Sequence, residues 1–449
     1  MQIKFLGAAG TVTGSSYVLT SGSGNSILID LGMFQGTPDI EKLNNNPFEY
    51  NCSKLDGVVL THAHLDHCGR LPILIPRGFK GKIWMTPPTR DLTELSLLDS
   101  AKIAIQDHKK ALYDKNLAYR TIDRFKTMEY RAPERIGDFV VTMRDAGHIL
   151  GSATLEIEDL RPNSEIQKIV FSGDLGNYPE DIVKTTEFID DADAVVMEST
   201  YGDRLHADED ATAMLQAEIN AVEQSGGTLL IPAFALERTQ EILHMIMHLK
   251  KEGKVKARTP VFLDSPMADQ ATQIYMDYPE MFNIHITEDL ENGGIFAFDG
   301  LEIIAKRSES RGLYFKNDAK VIIAGSGMMS GGRIVGHAAH YLSHSKNRIF
   351  IVGYQGEGTL GRELMEGQRE VLIDGKMISV SASVNTTHAM SSHADQQQLM
   401  DWLKHIKQVK HVILTHGEDP SRNALSERVQ KELGIDQIHL PHLHEEIFL

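Results

Sequence analysis

Three histidines and an aspartate stand close together in the segment 61–69, which reads THAHLDHCG. The run 55–61 (LDGVVLT) leads into this segment. It is apolar, with β-branched residues at its centre, which predicts a strand. Strand ends in open α/β layers are where binding sites are built. Neutral imidazoles and carboxylates are ligands that divalent metal ions take in proteins. The segment therefore favours a metal site over a solvated polar loop, and the fold must bring further ligands to it.

Composition excludes several other classes of protein. The chain has 449 residues, a length that suggests two or three domains. Its two cysteines exclude a disulfide scaffold and a four-thiolate metal site. The net charge of −17 argues against a basic sleeve around nucleic acid. No signal peptide or apolar run long enough for a membrane span is recognisable, so a cytoplasmic protein is the default expectation.

The coarse pattern of strands and helices divides the chain. Residues 89–130 contain no glycine and no proline, and their long side chains predict helix. Between 201 and 385, strands such as 228–232 and 320–324 alternate with helical segments, which predicts a parallel sheet covered on both faces. The tail, 386–449, is too short to fold alone and is expected to complete an earlier domain.

A family resemblance follows from the order of the motifs. H-x-H-x-D-H in 61–69 is the signature of the metallo-β-lactamase superfamily, and the rest of that family's set occurs in sequence order. Asp30 closes an early strand, His148 lies in DAGHILGS, Asp174 in FSGDLG and His416 in ILTHG. The chain thus resembles this superfamily along most of its length.

The resemblance implies that each chain binds two zinc ions, and it assigns a role to each motif residue. The implied ligands are His62, His64 and His148 for one ion, Asp66, His67 and His416 for the other, and Asp174 as the bridge. Asp30 would support the ligand loops without binding metal. Di-iron relatives have glutamate where this chain has His64, which favours zinc. Two such ions lower the pKa of a shared water and stabilise both the attacking and the leaving oxygen.

Three further matches resemble the β-CASP family of nucleic-acid hydrolases. Glu198, in MESTYG, matches its acidic motif, His393, in SSHAD, its first histidine motif, and His416 its last. Relatives that repair DNA crosslinks typically have valine at the last position, so a histidine there points to the RNA-processing branch. The resemblance implies that Glu198 orients His393, and that His393 assists departure of the leaving oxygen as a general acid. Asp66 would help to position the attacking water.

These resemblances imply a fold and a function together. The expected fold is α/β: a four-layer αββα metallo-β-lactamase domain from residues 1–200 and 386–449, with a Rossmann-like β-CASP domain inserted at 201–385. The expected function is zinc-dependent hydrolysis of phosphodiester bonds in single-stranded RNA. Ser330, Arg333 and Ser392 are expected to contact the RNA. Related proteins suggest a homodimer.

Other functions remain open at this point. The same fold serves DNA nucleases and structure-specific nucleases, and fold alone does not name a substrate. A thioesterase or lactamase would leave the large inserted segment without a role. A non-catalytic RNA-binding subunit would usually have lost metal ligands, and none is lost here. Whether cleavage is internal or proceeds from the 5′ end is not decided by the residues.

Overall fold

The computed structural model describes residues 1–106, 111–161, 165–178, 182–286, 289–290 and 294–449. Its strands are, in chain order, β1 (Gln2–Gly7), β2 (Ser16–Thr20), β3 (Ser26–Ile29), β4 (Leu55–Val59), β5 (Lys82–Met85), β6 (Phe125–Thr127), β7 (Glu134–Ile136), β8 (Phe139–Asp145), β9 (Ala153–Asp159), β10 (Lys168–Phe171), β11 (Ala194–Glu198), β12 (Thr228–Pro232), β13 (Val261–Leu263), β14 (Leu301–Ile303), β15 (Lys320–Ala324), β16 (Arg348–Ile351), β17 (Glu370–Ile373), β18 (Lys376–Ser379), β19 (Ser383–Thr386), β20 (His411–Thr415), β21 (Gln437–His439) and β22 (Glu446–Phe448).

The α-helices in the described part of the chain are α1 (Pro38–Lys42), α2 (Leu65–Cys68), α3 (Pro87–Gln106), α4 (Lys115–Ile122), α5 (Ala211–Ser225), α6 (Arg238–Lys251), α7 (Pro266–Met276), α8 (Arg307–Gly312), α9 (Gly332–Tyr341), α10 (Leu360–Met365), α11 (Gln396–His405) and α12 (Asp419–Leu433). The chain divides into two compact units. One combines Met1–Leu205 with Ser392–Leu449, and the other is His206–Ser391.

The first unit is built on two seven-stranded sheets. Their strand orders are β22-β1-β2-β3-β4-β5-β6 and β21-β20-β11-β10-β9-β8-β7. Apolar side chains from both sheets, such as Phe5 and Tyr17 from one and Phe139 and Phe171 from the other, share one buried core. The two sheets therefore pack face to face, as alternating side chains require when one face of each is apolar.

Helices cover the outer faces of these sheets. The outer side of the first sheet packs with Leu97 of α3 and Ala118 of α4. The outer side of the second sheet packs with Leu403 of α11 and with Leu425 and Val429 of α12. The layers run helix, sheet, sheet, helix, which confirms the predicted αββα arrangement.

The second unit contains a six-stranded sheet of order β14-β13-β15-β12-β16-β19. Every neighbouring pair in it is parallel. All five residues of β12 are buried, and so are all five of β15, as expected for strands covered on both faces. The prediction of a parallel α/β sheet in this part of the chain is confirmed. The strands β17 and β18 form a separate antiparallel pair.

The prediction of helix across 89–130 is wrong in part. Within it the structure has α3 from its third residue onward, then α4, and then the strand β6 over Phe125–Thr127; residues 107–110 lie outside the described residues. β6 pairs in parallel with β5, through partners such as Ile83 and Phe125, so tertiary pairing determines its conformation. Three residues carry too little periodicity to reveal a strand. Among the described residues, no helix has the length and apolar character that crossing a bilayer requires.

Candidate metal centre

Parallel strands bring the motif residues together in the first unit. β10, β11 and β20 run parallel side by side, so Asp174, Glu198 and His416, which follow or end them, meet at one edge of their sheet. In the facing sheet β3 and β4 are also parallel, and Asp30 and the segment 60–64 leave their carboxyl ends. Carboxyl ends of parallel strands are where such folds build sites.

One group of donor atoms consists of three imidazoles around one carboxylate oxygen. Asp174 Oδ2 lies 3.4 Å from His62 Nε2 and 3.7 Å from His148 Nε2. His148 Nε2 in turn lies 3.2 Å from His64 Nδ1. These four side chains each offer one ligand atom, and the four atoms all lie close enough together to surround one metal ion.

The second group lies on the other side of the same carboxylate. His416 Nε2 is 3.5 Å from Asp66 Oδ2 and 3.7 Å from Asp174 Oδ1. His67 completes this group with Asp66 and His416. The His67 Nε2 atom is 3.3 Å from Asp174 Oδ2. Asp174 therefore contacts both groups, with Oδ2 near His62, His148 and His67 and Oδ1 near His416, as expected of a residue that would bridge two ions.

Polar atoms without hydrogen-bond partners support the fit of these residues to metal ions. His62 Nε2, His416 Nε2 and Asp174 Oδ1 are buried and lack a hydrogen-bond partner. Buried polar atoms left unsatisfied destabilise a protein, and most are paired. Since all three point into the two donor groups, cations that bind there would satisfy them. Neutral nitrogen and carboxylate oxygen together are the donor set that zinc takes.

Most of the imidazoles are oriented by a bond to the ring nitrogen that faces away from the centre. These Nδ1 bonds are to Thr61 Oγ1 for His62 (3.1 Å), Asp30 Oδ2 for His67 (2.7 Å), the Ser392 carbonyl for His148 (2.9 Å) and Thr200 Oγ1 for His416 (3.0 Å). Such outer partners fix the tautomer and the ring orientation of a ligand histidine. The sequence reasoning missed Thr61 and Thr200, although Thr61 directly precedes His62 and Thr200 lies two residues after Glu198.

The protonation of His62, His64, His148 and Asp66 suits metal binding, whereas the Asp174 and Asp30 carboxylates outweigh burial and raise the pKa of His67 well above its usual value. Burial lowers the pKa of His62 and His148 well below its usual value, and lowers that of His64 to about 4. These rings are neutral at neutral pH and present lone pairs. Burial alone would raise the pKa of Asp66, but the hydrogen bond with His416 and the charges of His67 and His416 together outweigh burial and lower the pKa to about 2. The carboxylate is therefore ionised.

Glu198 and His393 form a pair beside the two donor groups. His393 Nδ1 lies 3.2 Å from Glu198 Oε2 and 4.0 Å from Asp174 Oδ2. Glu198 is buried, and its oxygens accept hydrogen bonds from the Leu175 amide and the Thr200 hydroxyl. Burial works to lower the pKa of His393, but the charge and hydrogen bond of Glu198, together with the charges of Asp174 and Asp66, outweigh burial and raise the pKa to about 9. The imidazole is held as a cation next to the centre.

The position of His393 depends on the start of α11. Asp395 caps that helix by accepting a hydrogen bond from the Gln398 amide, while the Gln398 side chain accepts one from the Asp395 amide. This capping box fixes the entry of the chain into the helix. An isolated bridge between Gly176 and His393 ties the preceding residues to the loop after β10.

The three residues expected to contact RNA have different surroundings. Ser392, in the first unit, uses its backbone carbonyl to accept bonds from His148 and from the Asn177 amide. Ser330 is exposed in the glycine-rich turn after β15 of the second unit. Arg333 follows it, and its guanidinium binds Asp264 together with the carbonyls of Ile304 (2.8 Å) and Ala305 (2.7 Å). Its role as an RNA contact stays a prediction.

Sequence profiles of three domain families match the chain. The metallo-beta-lactamase superfamily matches residues 9–214, the Beta-Casp domain matches 239–364, and the Zn-dependent metallo-hydrolase RNA specificity domain matches 377–441. A crystal structure of a protein of unknown function from Enterococcus faecalis shares the fold, with a TM-score of 0.56 and 12% identity over 100% of this chain and 99% of that one.

Several curated proteins are similar over nearly the whole chain. Ribonuclease TTHA0252 of Thermus thermophilus is 36% identical over 427 residues, 95% of each chain. The RNase aCSPSF2 of Saccharolobus solfataricus is 32% identical, covering 97% of this chain and 83% of the relative. Transcription termination factor FttA of Methanosarcina mazei is 30% identical, covering 99% of this chain and 71% of the relative.

The fold and the paired histidine and aspartate groups define a metallo-hydrolase. The matching domain profiles and these relatives identify its family. The chain belongs to the β-CASP family of RNA-processing nucleases within the metallo-β-lactamase superfamily. The family predicted from the motifs is confirmed, and the protein is a hydrolytic nuclease.

Proposed function

We propose that this protein is a zinc-dependent ribonuclease that hydrolyses phosphodiester bonds of single-stranded RNA. The observation that carries the proposal is the position of Asp174, whose two oxygens face the two donor groups, with the cationic His393 alongside. The ribonucleases among the relatives support RNA as the substrate class.

The proposed ligands follow the two groups described above. They are His62, His64 and His148 for one zinc ion, Asp66, His67 and His416 for the other, and Asp174 for both. When bound, two zinc ions lower the pKa of a shared water and neutralise charge on the phosphate. Asp66 and Asp174 are anions, so their negative charges would offset part of the charge of two bound zinc ions.

His393 provides the proton for the leaving oxygen. With a pKa raised to about 9 beside Glu198, the ring is protonated at neutral pH. General acid catalysis of this kind contributes about 10²–10⁴-fold to a rate. Glu198 positions the ring and stabilises its charge, and Thr200 holds Glu198 through a bond of 2.6 Å.

The test is digestion of end-labelled single-stranded RNA and of DNA of matched sequence by wild type, Asp66→Ala and His393→Ala. We expect only the wild type to cleave RNA at the full rate. Asp66→Ala should lose zinc and activity. His393→Ala should keep its zinc but cleave RNA slowly. Equal cleavage of RNA and DNA would contradict RNA specificity and indicate the DNA nuclease alternative. Cleavage by Asp66→Ala would place the activity elsewhere.

The homodimer implied by the resemblance stays a prediction. Light scattering coupled to size-exclusion chromatography gives the mass directly. A mass of about 100 kDa, twice the 50.0 kDa of one chain, is the expected result, and a single-chain mass would overturn it.

A further inference from the structure

The second unit contains a cluster of possible metal ligands that none of the family motifs includes. His244 and His248 lie one turn apart on α6, so their side chains project from the same face of the helix. Asp289, in the connection between α7 and β14, lies opposite them. The sequence reasoning did not consider this cluster, although an i, i+4 histidine pair on a helix is a recognisable signal.

The three donor atoms are spaced as ligands of one ion. His248 Nε2 lies 2.9 Å from Asp289 Oδ2 and 3.1 Å from His244 Nε2, and His244 Nε2 lies 3.6 Å from the same carboxylate oxygen. Zinc bonds of about 2.0–2.2 Å to nitrogen and oxygen place tetrahedral ligands about 3.3–3.6 Å apart. The observed edges of 2.9, 3.1 and 3.6 Å would have to lengthen by at most about 0.4 Å to form one face of such a tetrahedron.

Charge and exposure also fit a bound cation. The side chains of His244 and Asp289 are 8% and 12% exposed, whereas His248 is 34% exposed, so the cluster is a partly covered recess with access to water. Lys251 Nζ lies 3.1 Å from Asp289 Oδ1, the carboxylate oxygen that does not face the histidines. Its ion pair orients the carboxylate, and because the lysine is mostly exposed its repulsion of a cation is screened.

We propose that His244, His248 and Asp289 form an additional binding site for a divalent transition metal, with zinc as its ion. Three protein ligands leave a fourth position for water. Bound there, the ion links the connection between α7 and β14 to α6, so its role is to stabilise the second unit. The competing explanation is an ion pair of Asp289 with a protonated His248, which holds no metal.

The test measures zinc per chain in the full-length protein after equilibrium dialysis against micromolar free Zn²⁺, by mass spectrometry of the metal. We expect His248→Asn to bind one zinc ion fewer than wild type, with RNA cleavage and circular dichroism unchanged. His285→Asn, at an exposed histidine of the same unit, is the matched control and keeps the wild-type content. Equal zinc in wild type and His248→Asn overturns the proposal.

Two further variants separate the metal from the ion pair. Asp289→Asn should also lose one zinc ion, whereas Lys251→Met, which removes the ion pair and keeps all three ligands, should retain it. If Lys251→Met lost this zinc ion while the ligand variants His248→Asn and Asp289→Asn kept it, the assignment of the ligands would be overturned. Asp66→Ala should lower zinc at the other centre and leave the His248-dependent ion in place, so failure at one site is distinguishable from failure at the other.

Discussion

Asp30 contacts Thr61 and the proposed ligand His67 beside the candidate metal centre. It is buried, and it accepts bonds from the Thr61 amide and hydroxyl, each 2.8 Å, and from His67 Nδ1 at 2.7 Å. Its backbone is left-handed, with φ of 55°, a conformation that aspartate and asparagine tolerate better than other side chains. The residue therefore combines a backbone turn with the orientation of a proposed ligand.

Asp30→Asn should retain the turn and weaken the centre. The amide keeps the left-handed conformation but loses the charge that holds the His67 ring. We expect zinc affinity or activity to fall by about 10–100-fold, as for other outer partners of ligand histidines. Competition with a zinc chelator measures the affinity. An unchanged affinity, with the fold intact, would mean that Asp30 serves only the turn.

The Glu198 and His393 pair predicts a pH effect. The proposed mechanism requires a protonated His393, so kcat should fall as the pH rises through the pKa of this ring. Glu198 raises that pKa, and nearby zinc ions would draw it down from about 9. Glu198→Gln removes the raising charge, so the alkaline limb of the kcat profile should move to lower pH. Profiles of the two enzymes that coincide above neutral pH would contradict the assignment.

The family resemblance predicted the residues of the candidate site and one outer partner, Asp30, but not the outer partners Thr61 and Thr200. Each motif carries ligand-type residues next to a strand, so their convergence followed from parallel pairing. The contacts of Thr61 and Thr200 with ligand histidines could not be predicted, because a threonine at a strand end has many ordinary roles. The Arg333 guanidinium shows the same limit, since its bond to Asp264 spans 69 positions in the chain.

At the scale of elements, α2 is a four-residue helix whose place depends on the turn after β3. Leu31 donates its amide to the His67 carbonyl at 2.8 Å, and Ser15 donates to the Asp66 carbonyl at 2.9 Å. A Cβ on Gly32 would lie 1.4 Å from the Asp66 carbonyl oxygen, which leaves no room for any side chain. The closeness of these backbones positions the ligands Asp66 and His67.

Gly32→Ala should therefore destabilise the first unit and displace the centre. Overpacking against backbone costs about 3 kcal/mol in free energy of unfolding. Gly24→Ala is the control, because nothing lies within 4 Å of its Cβ and only its left-handed backbone costs about 1–2 kcal/mol. Denaturant unfolding and zinc content are the measurements. Normal zinc content in Gly32→Ala would show that the turn does not position the ligands.

Element prediction succeeded for buried strands and failed for the short, largely unburied strands β6 and β22. β12 and β15 have five apolar or buried positions each and were recognised. β6 and β22 have three residues each, and only their neighbours β5 and β1 make them strands. Local pattern cannot report a pairing that depends on a distant segment.

At the scale of the whole molecule, the net charge of −17 bears on how RNA is held. An acidic chain has little long-range attraction for a polyanion, so binding should depend on few phosphates near the centre. We expect the logarithm of RNA affinity to fall with the logarithm of salt concentration with a slope of about −2 to −4, equivalent to about 3–6 phosphates on a single strand. A steeper slope, near that of strongly basic binders, would show an extended contact surface.

The discontinuity of the first unit has a consequence for synthesis on the ribosome. Its chain stops at Leu205 and resumes at Ser392, and the proposed ligand His416 belongs to the later part. At about 5–20 residues per second, about 10–40 s pass between translation of Leu205 and of His416. During that interval the second unit can fold, while the first still lacks β20, α11 and α12. A nascent chain therefore emerges beside its own messenger RNA before its proposed cleavage site is complete.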